Sequence, residues 1–281
     1  MDPATRKGIL MMLFCVLVTA LAGAATKHVS ETVPVSTVVF AQYFIALLLI
    51  LPGALRQGWR SLYTPRAGVH TIRGASGWLC FYFYYLAISK IPLVEASLLR
   101  AASPICVPVI LLLMKTESFS AKRWWPVLVG LAGVSLILKP ESGTISIWHL
   151  VGFMSAVTLA LSMVLTRELA LVEPGSRILF YYFLISLICS TPMMLLEWQQ
   201  PNARELCWLL AIGGGVYWAL KLYTEAYRLA KAAIVSPFSY FGVVFSGMLG
   251  WMVWGQIPDG WALMGICLVI AGGVWTVSLS N

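Results

Sequence analysis

The sequence predicts an all-α polytopic membrane protein: ten transmembrane helices, arranged as two inverted five-helix repeats around a central cavity. Three observations predict it. Hydrophobic residues make up 60% of the 281, only 11% are charged and the mean hydropathy is +0.86, whereas soluble domains carry about 25% charged residues. The apolar residues fall into ten stretches punctuated by charges. And the pattern is written twice. Sliding residues 20–55 forward by 140 places Ala20 on Ala160, Thr26 on Thr166, Pro34 on Pro174, Phe40 on Phe180 and Pro52 on Pro192. From the third stretch onward an offset of 139 pairs Gly74 with Gly213, Tyr84 with Tyr223, Ala87 with Ala226, Ser97 with Ser236 and Gly133 with Gly272. Five spans is an odd number, so the second copy enters the membrane from the opposite side. Inverted repeats are the architecture of secondary transporters.

In order, the apolar segments run 8–26, 32–55, 74–89, 96–114, 124–138, 142–166, 178–196, 206–220, 232–258 and 260–281. The repeat divides them into units 1–141 and 142–281. Spanning a bilayer takes about 20 residues, so the third, fifth and eighth segments must borrow interfacial residues at their ends. The first follows Arg6 and Lys7 and ends in Ala20-Leu21-Ala22, which resembles a leader with its cleavage site. The repeat requires residues 8–26 as the counterpart of the sixth span, so this segment is expected to stay. The longest connection, 56–73, is Arg-rich and turns at Pro65. Pro104 and Pro108 interrupt the fourth segment, and such breaks are tolerated beside cavities. The glycines of the fifth and tenth (Gly130, Gly133, Gly265, Gly272, Gly273) read as close-packing surfaces for a neighbouring helix or a second copy. A monomer or a homodimer is expected.

The formal charge of +8 is explained by its distribution. With the N-terminus inside, thirteen of the nineteen Lys and Arg fall in inside connections, Arg73 among them, and four outside, leaving Arg100 and Lys221 within spans. This bias puts both termini in the cytoplasm and the protein in the cell's inner membrane, and leaves no excess to indicate nucleic acid. Six cysteines are scattered one to a span without CxxC spacing, which argues against metal or disulfide roles. No phosphate-binding GxxxxGK[ST] loop and no HExxH or Ser/His/Asp set is present, so neither an ATP-driven pump nor an enzyme is indicated. No cofactor is expected.

Arg100 is the sharpest candidate. It sits four to five residues inside the fourth span, about 6–9 Å deep at 1.5 Å per residue, and facing lipid at a helix centre costs about 2.5–3.5 kcal/mol. It should therefore face protein or water, with Ser97, Ser103 and Pro104 on its side of the helix. One reading is an anion or substrate-carboxylate site; the other is snorkelling, or a pair with Glu95. In the eighth span Lys221 and Glu225 are spaced i, i+4 on the face of Tyr217, with Arg228 a turn further. They form either a rearranging charge pair, with Glu225 the proton-coupling candidate, or an interfacial pair that snorkels. Of the aromatics in the third span, the stripe Trp78, Tyr82, Tyr85 is placed to line a cavity and stack on substrate. Ser236 and Ser239 of the ninth span are candidates beside them, Ser239 being the repeat counterpart of Arg100; helix packing through small polar residues explains them equally. Lys27 and Arg167 coincide in the repeat and read as cations favoured by helix C-terminal dipoles, or as charges at a cavity mouth.

Taken together, Ala87, Pro92, Glu95-Ala96-Ser97-Leu98-Leu99, Pro104, Glu117, Gly130 and Gly133-Val134 give the first half of the chain a family resemblance. The second half repeats it more weakly in Ala226, Ser236-Pro237, Gly255-Gln256, Gly265 and Ala271-Gly272-Gly273-Val274. The chain resembles the EamA family of the drug/metabolite transporter superfamily over its whole length. Gln256 stands where the family usually has an acid, and Thr116 where a Gly precedes Glu117. The resemblance implies a ten-helix basket whose cavity is walled by spans one, three, four, six, eight and nine. The expected function is secondary active or facilitative transport of a small organic metabolite, an amino acid or a related amphipathic or anionic solute. Protons are the possible coupling ion and the bilayer the other partner. Broad-specificity drug efflux is the alternative within transport, and a lipid flippase or scramblase the alternative outside it.

Overall fold

The computed structural model describes residues 3–56, 62–114, 124–137, 146–170, 172–229, 238, 241–256 and 260–278. Within them the chain forms α1 (Pro3–Val29), α2 (Val35–Arg56), α3 (Ala67–Lys90), α4 (Leu93–Ala101), α5 (Ser103–Leu113), α6 (Trp124–Ile137), α7 (Ile147–Ala170), α8 (Gly175–Leu196), α9 (Ala203–Leu229), α10 (Phe241–Trp254) and α11 (Gly260–Ser278). Five stretches are long and apolar enough to cross a membrane on length and composition: Pro3–Val29, Val35–Arg56, Ile147–Ala170, Gly175–Leu196 and Ala203–Ala226. The protein is an all-α, multi-pass membrane protein.

The short third and eighth segments did borrow residues. The third begins seven residues earlier than its apolar core, at Ala67, and the eighth extends to Leu229. Helix geometry overrides composition here, because a segment that spans must close its backbone hydrogen bonds over the full bilayer depth. The fourth span is broken into α4 and α5 at Ala102, two residues after Arg100. Pro104 lacks the N–H that would bond the Arg100 carbonyl, and the Ala102 N–H instead reaches Leu99 O at 3.2 Å, a tighter turn.

Polar contacts define the two ends of the bundle. At the end where α1 finishes, the distal end, Lys27 Nζ donates to Ile88 O (2.6 Å) in the last turn of α3 and to Ile91 O (3.0 Å) just beyond it. Glu95 of α4 meets His149 of α7 at 3.1 Å, and Ser36 of α2 donates to Glu197 beyond α8 at 2.5 Å. The Leu93 N–H opening α4 donates to Gln256 Oε1 at 3.2 Å. Gln256 is placed by a turn closing α10, with Gly255 at φ +65° and the Gln256 N–H on Gly250 O at 3.1 Å. The amide oxygen thus caps a helix N-terminus from a neighbouring helix, so neither of these contacts requires an acid at this position. At the opposite, proximal end, Thr64 and His70 bond Glu173 in the α7–α8 turn, and Arg177 lies 3.9 Å from the same carboxylate.

Packing between helices is reciprocal. α1 lies chiefly on α9 and α3 on α7; α2 packs on α8 and α6 on α11. In repeat terms each contact is either its own image or the image of another. Two glycines show it at atomic detail. A Cβ on Gly74 would stand 2.7 Å from Ile185 Cβ, and one on Gly213 would stand 2.6 Å from Ile45 Cβ. Gly74 maps on Gly213 and Ile45 on Ile185, so each half offers a flat glycine surface to the other half's isoleucine.

Candidate functional site

A cavity of about 210 Å³ lies between α1, α3, α4, α5, α7, α9 and α10, with Tyr182 of α8 also in its wall. Its α3 wall is the stripe Arg73, Gly77, Cys80, Phe81, Tyr84, a continuous helical face. Gly77 is there because Tyr182 occupies its side-chain space: a Cβ would lie 2.3 Å from the Tyr182 ring. The α4 wall contributes Ser97 and Arg100, the α7 wall Ser162 and Thr166.

Arg100 is brought into the cavity, where its guanidinium carbon lies 4.6 Å from the Phe81 ring centroid and 4.8 Å from that of Tyr84. Its Nε is buried without a hydrogen-bond partner. The pair with Glu95 expected as one alternative does not form, because His149 takes that carboxylate. Ser97 joins Arg100 in the wall, and its hydroxyl is 2.9 Å from Tyr84 Oη.

Arg73 corrects the charge assignment made from sequence. Counted there among the inside connections, it is 5% exposed and lines the cavity. Nε donates to Thr166 Oγ1 at 2.9 Å, the guanidinium stacks on Tyr182 at 3.9 Å, and Nη1 is buried without a partner. The signal was available: a sixteen-residue apolar core, 74–89, is too short to span, so the helix had to include residues just before it. Among the described residues the cavity wall contains both arginines and no acid.

The other candidates lie elsewhere. Trp78 and Tyr82 stack on each other at 5.9 Å, outside the cavity wall. The lining face of α3 runs through Arg73, Gly77, Cys80, Phe81 and Tyr84 and does not include them, with Gly77 seating the Tyr182 ring. Tyr217 packs toward Phe183 at 6.4 Å, while its neighbours Val216, Ala219 and Leu220 line the cavity. Lys221 is exposed, with Nζ over the Trp218 ring at 4.8 Å. Glu225 pairs with Arg228 at 2.9 Å rather than with Lys221, both partners being at least a third exposed. Ser236 and Ser239 fall outside the described residues, as do the side chains of Pro104 and Arg167. Lys27 serves a neighbour, completing the C-terminus of α3 rather than of its own helix.

The cavity sits toward the proximal end. Its α1 lining is Met12 to Ala20 and its α9 lining Val216 to Tyr223. Two of the distal ties, Lys27 on α3 and Gln256 on α4, join helices that line the cavity. The proximal ties on Glu173 join α3 to the α7–α8 turn, elements of one side.

A bundle of apolar helices around a mostly apolar chamber with two arginines in its wall is the arrangement of a membrane transporter. The chain matches the EamA-like transporter family at residues 6–139 and again at 146–278, and belongs to it. It is 31% identical over 274 residues to the pseudopaline exporter of Pseudomonas aeruginosa, covering 97% of this chain and 94% of that one. It is 28% identical to a riboflavin transporter of Vibrio cholerae (94% and 90% covered) and 21% identical to an S-adenosylmethionine uptake transporter of Rickettsia prowazekii (96% and 92%). A crystal structure 23% identical in sequence superposes with a TM-score of 0.66 over 99% of this chain and 96% of its own, and so shares the fold. The family makes this chain a transporter, not an enzyme.

Proposed function

We propose that this protein carries a small anionic or amphipathic organic metabolite, of the amino-acid class, across the inner membrane by alternating access between two inverted halves, with both termini cytoplasmic. The observation that carries this reading is a pair of arginines in one cavity wall, Arg73 buried and Arg100 half-buried, with no acid beside them among the described residues. A guanidinium removed from water and left without an anion is costly, and an anionic substrate removes that cost. Relatives that are transporters of pseudopaline, riboflavin and S-adenosylmethionine support a metabolite as cargo. The cavity of about 210 Å³ is smaller than the roughly 300–1,000 Å³ of drug-sized sites, which favours a metabolite over broad drug efflux. Its two like charges disfavour cationic drugs. The distal ties between cavity-lining helices support reading this arrangement as the state closed at the distal side.

The test is a thermal-shift screen of the purified full chain against metabolites bearing carboxylates or phosphates, beside their neutral isosteres, repeated with Arg100→Ala. A ligand at a hundred times its Kd stabilises by about 2.7 kcal/mol. Anionic compounds are expected to raise the midpoint of the parent and to leave Arg100→Ala unmoved. Shifts by neutral or cationic compounds alone reject the reading.

A further inference from the structure

We infer that the cavity takes a solute with two separate anionic groups, one for Arg73 and one for Arg100, joined by an uncharged body. This rests on the anionic-solute reading above and specifies it. The two arginines hold different stations on one helix face. Arg73 stacks on Tyr182, whose ring lies against Gly77. Arg100 stacks on Phe81 and Tyr84, four and seven residues beyond Gly77 on α3. At 1.5 Å per residue the stations are about 6–10 Å apart along the axis.

Each guanidinium is held in the same manner. Aromatic faces, rather than carboxylates, fix its plane, and each keeps one buried N–H group with no acceptor, Nη1 of Arg73 and Nε of Arg100. Protein groups thus position both cations without neutralising either. Arg73 has one protein acceptor, the Thr166 hydroxyl. A single carboxylate at one station leaves the other charge uncompensated in a chamber with no acid among the described residues; two anionic groups neutralise both. Between Gly77 and Phe81 the α3 wall is Cys80, and Met163 lines the cavity from α7, which suits a short apolar linker.

The experiment compares straight-chain dicarboxylates from succinate to pimelate with their half-methyl esters, by calorimetric binding to the purified full chain. A charge-assisted hydrogen-bonded contact is worth about tenfold or more in affinity, so at least one dicarboxylate is expected to bind about tenfold or more tighter than its half-ester. In Arg73→Gln, and separately in Arg100→Gln, that ratio is expected to collapse toward one, while Arg73→Lys, which keeps the charge, retains most of it. A packing role for Arg73 would change both affinities together and leave the ratio alone. Should Arg73→Gln not fold, Arg100→Gln decides. Half-esters that bind the parent as tightly as the diacids overturn the inference and leave the anionic reading standing; failure of every acid, diacid and half-ester alike, overturns both.

Discussion

Replacing Gly74 or Gly213 by alanine should destabilise the protein by nearly equal amounts, although the two lie in different halves. The added Cβ at Gly74 would stand 2.7 Å from both Cβ and Cγ2 of Ile185; at Gly213 it would stand 2.6 Å from Cβ and 2.9 Å from Cγ2 of Ile45. Carbon atoms pack comfortably at about 3.5–4.0 Å, so each pair of helices must part by about 1 Å. Isoleucine cannot relieve the contact by rotating, because its Cβ is fixed to the backbone. Overpacking of this kind costs about 1–3 kcal/mol. Gly214 supplies the control. It neighbours Gly213 in α9, and nothing lies within 4 Å of its added Cβ. Gly214→Ala therefore shows only the helix gain of about 0.5–1 kcal/mol, a gain common to all three variants. The difference from Gly214→Ala thus isolates the packing cost, about 1–3 kcal/mol at both positions. Thermal unfolding of the purified variants measures it. Gly74→Ala and Gly213→Ala as stable as Gly214→Ala, or one harmed and the other untouched, would refute the reciprocal packing.

Three further outcomes are expected. Lys27→Met removes the donor serving the Ile88 and Ile91 carbonyls and should lower stability by about 1–3 kcal/mol, read from the thermal midpoint in detergent. At Glu173, burial pushes the carboxyl up, but hydrogen bonds from Thr64 and His70 and the charges of His70 and Arg177 outweigh it and hold it below its ordinary 4.5. A depressed carboxylate adds stability that is present above that ordinary value and lost as pH falls through the folded one; the midpoint of the parent should fall more steeply below about pH 4.5 than that of Glu173→Gln. Finally, the proposal that Glu225, paired with the exposed Arg228, couples transport to protons predicts that any response of transport in proteoliposomes to an imposed proton gradient is lost in Glu225→Gln; unchanged gradient dependence rejects Glu225 as the coupling group.

Much of the architecture was legible because apolar periodicity and duplication are written in the chain itself. Arg100 was legible too, since a charge deep in an apolar stretch is costly wherever it points. The rest of the site was not. Arg73 lies just outside its apolar core and looks like an ordinary connecting cation until the helix is extended to Ala67. Trp78 and Tyr82 drew attention by size, whereas the α3 face that lines the cavity carries Arg73, Gly77, Cys80, Phe81 and Tyr84, and side-chain size does not say which face turns inward. Lys221 and Glu225 share a helix face, but a one-dimensional spacing does not say that Arg228 is the nearer partner or that Lys221 leans on Trp218.

The sequence by itself determined that the chain is helical, multi-pass and duplicated, and that at least one arginine must be sheltered from lipid. These follow from composition, period and the cost of a charge in hydrocarbon, which are local properties. Only the tertiary structure decided which helix faces enclose the cavity, that a second arginine enters it, and that no acid among the described residues accompanies them. Those depend on how rigid helices rotate about their axes to seat glycine against isoleucine and tyrosine, a condition set jointly by residues far apart in the chain.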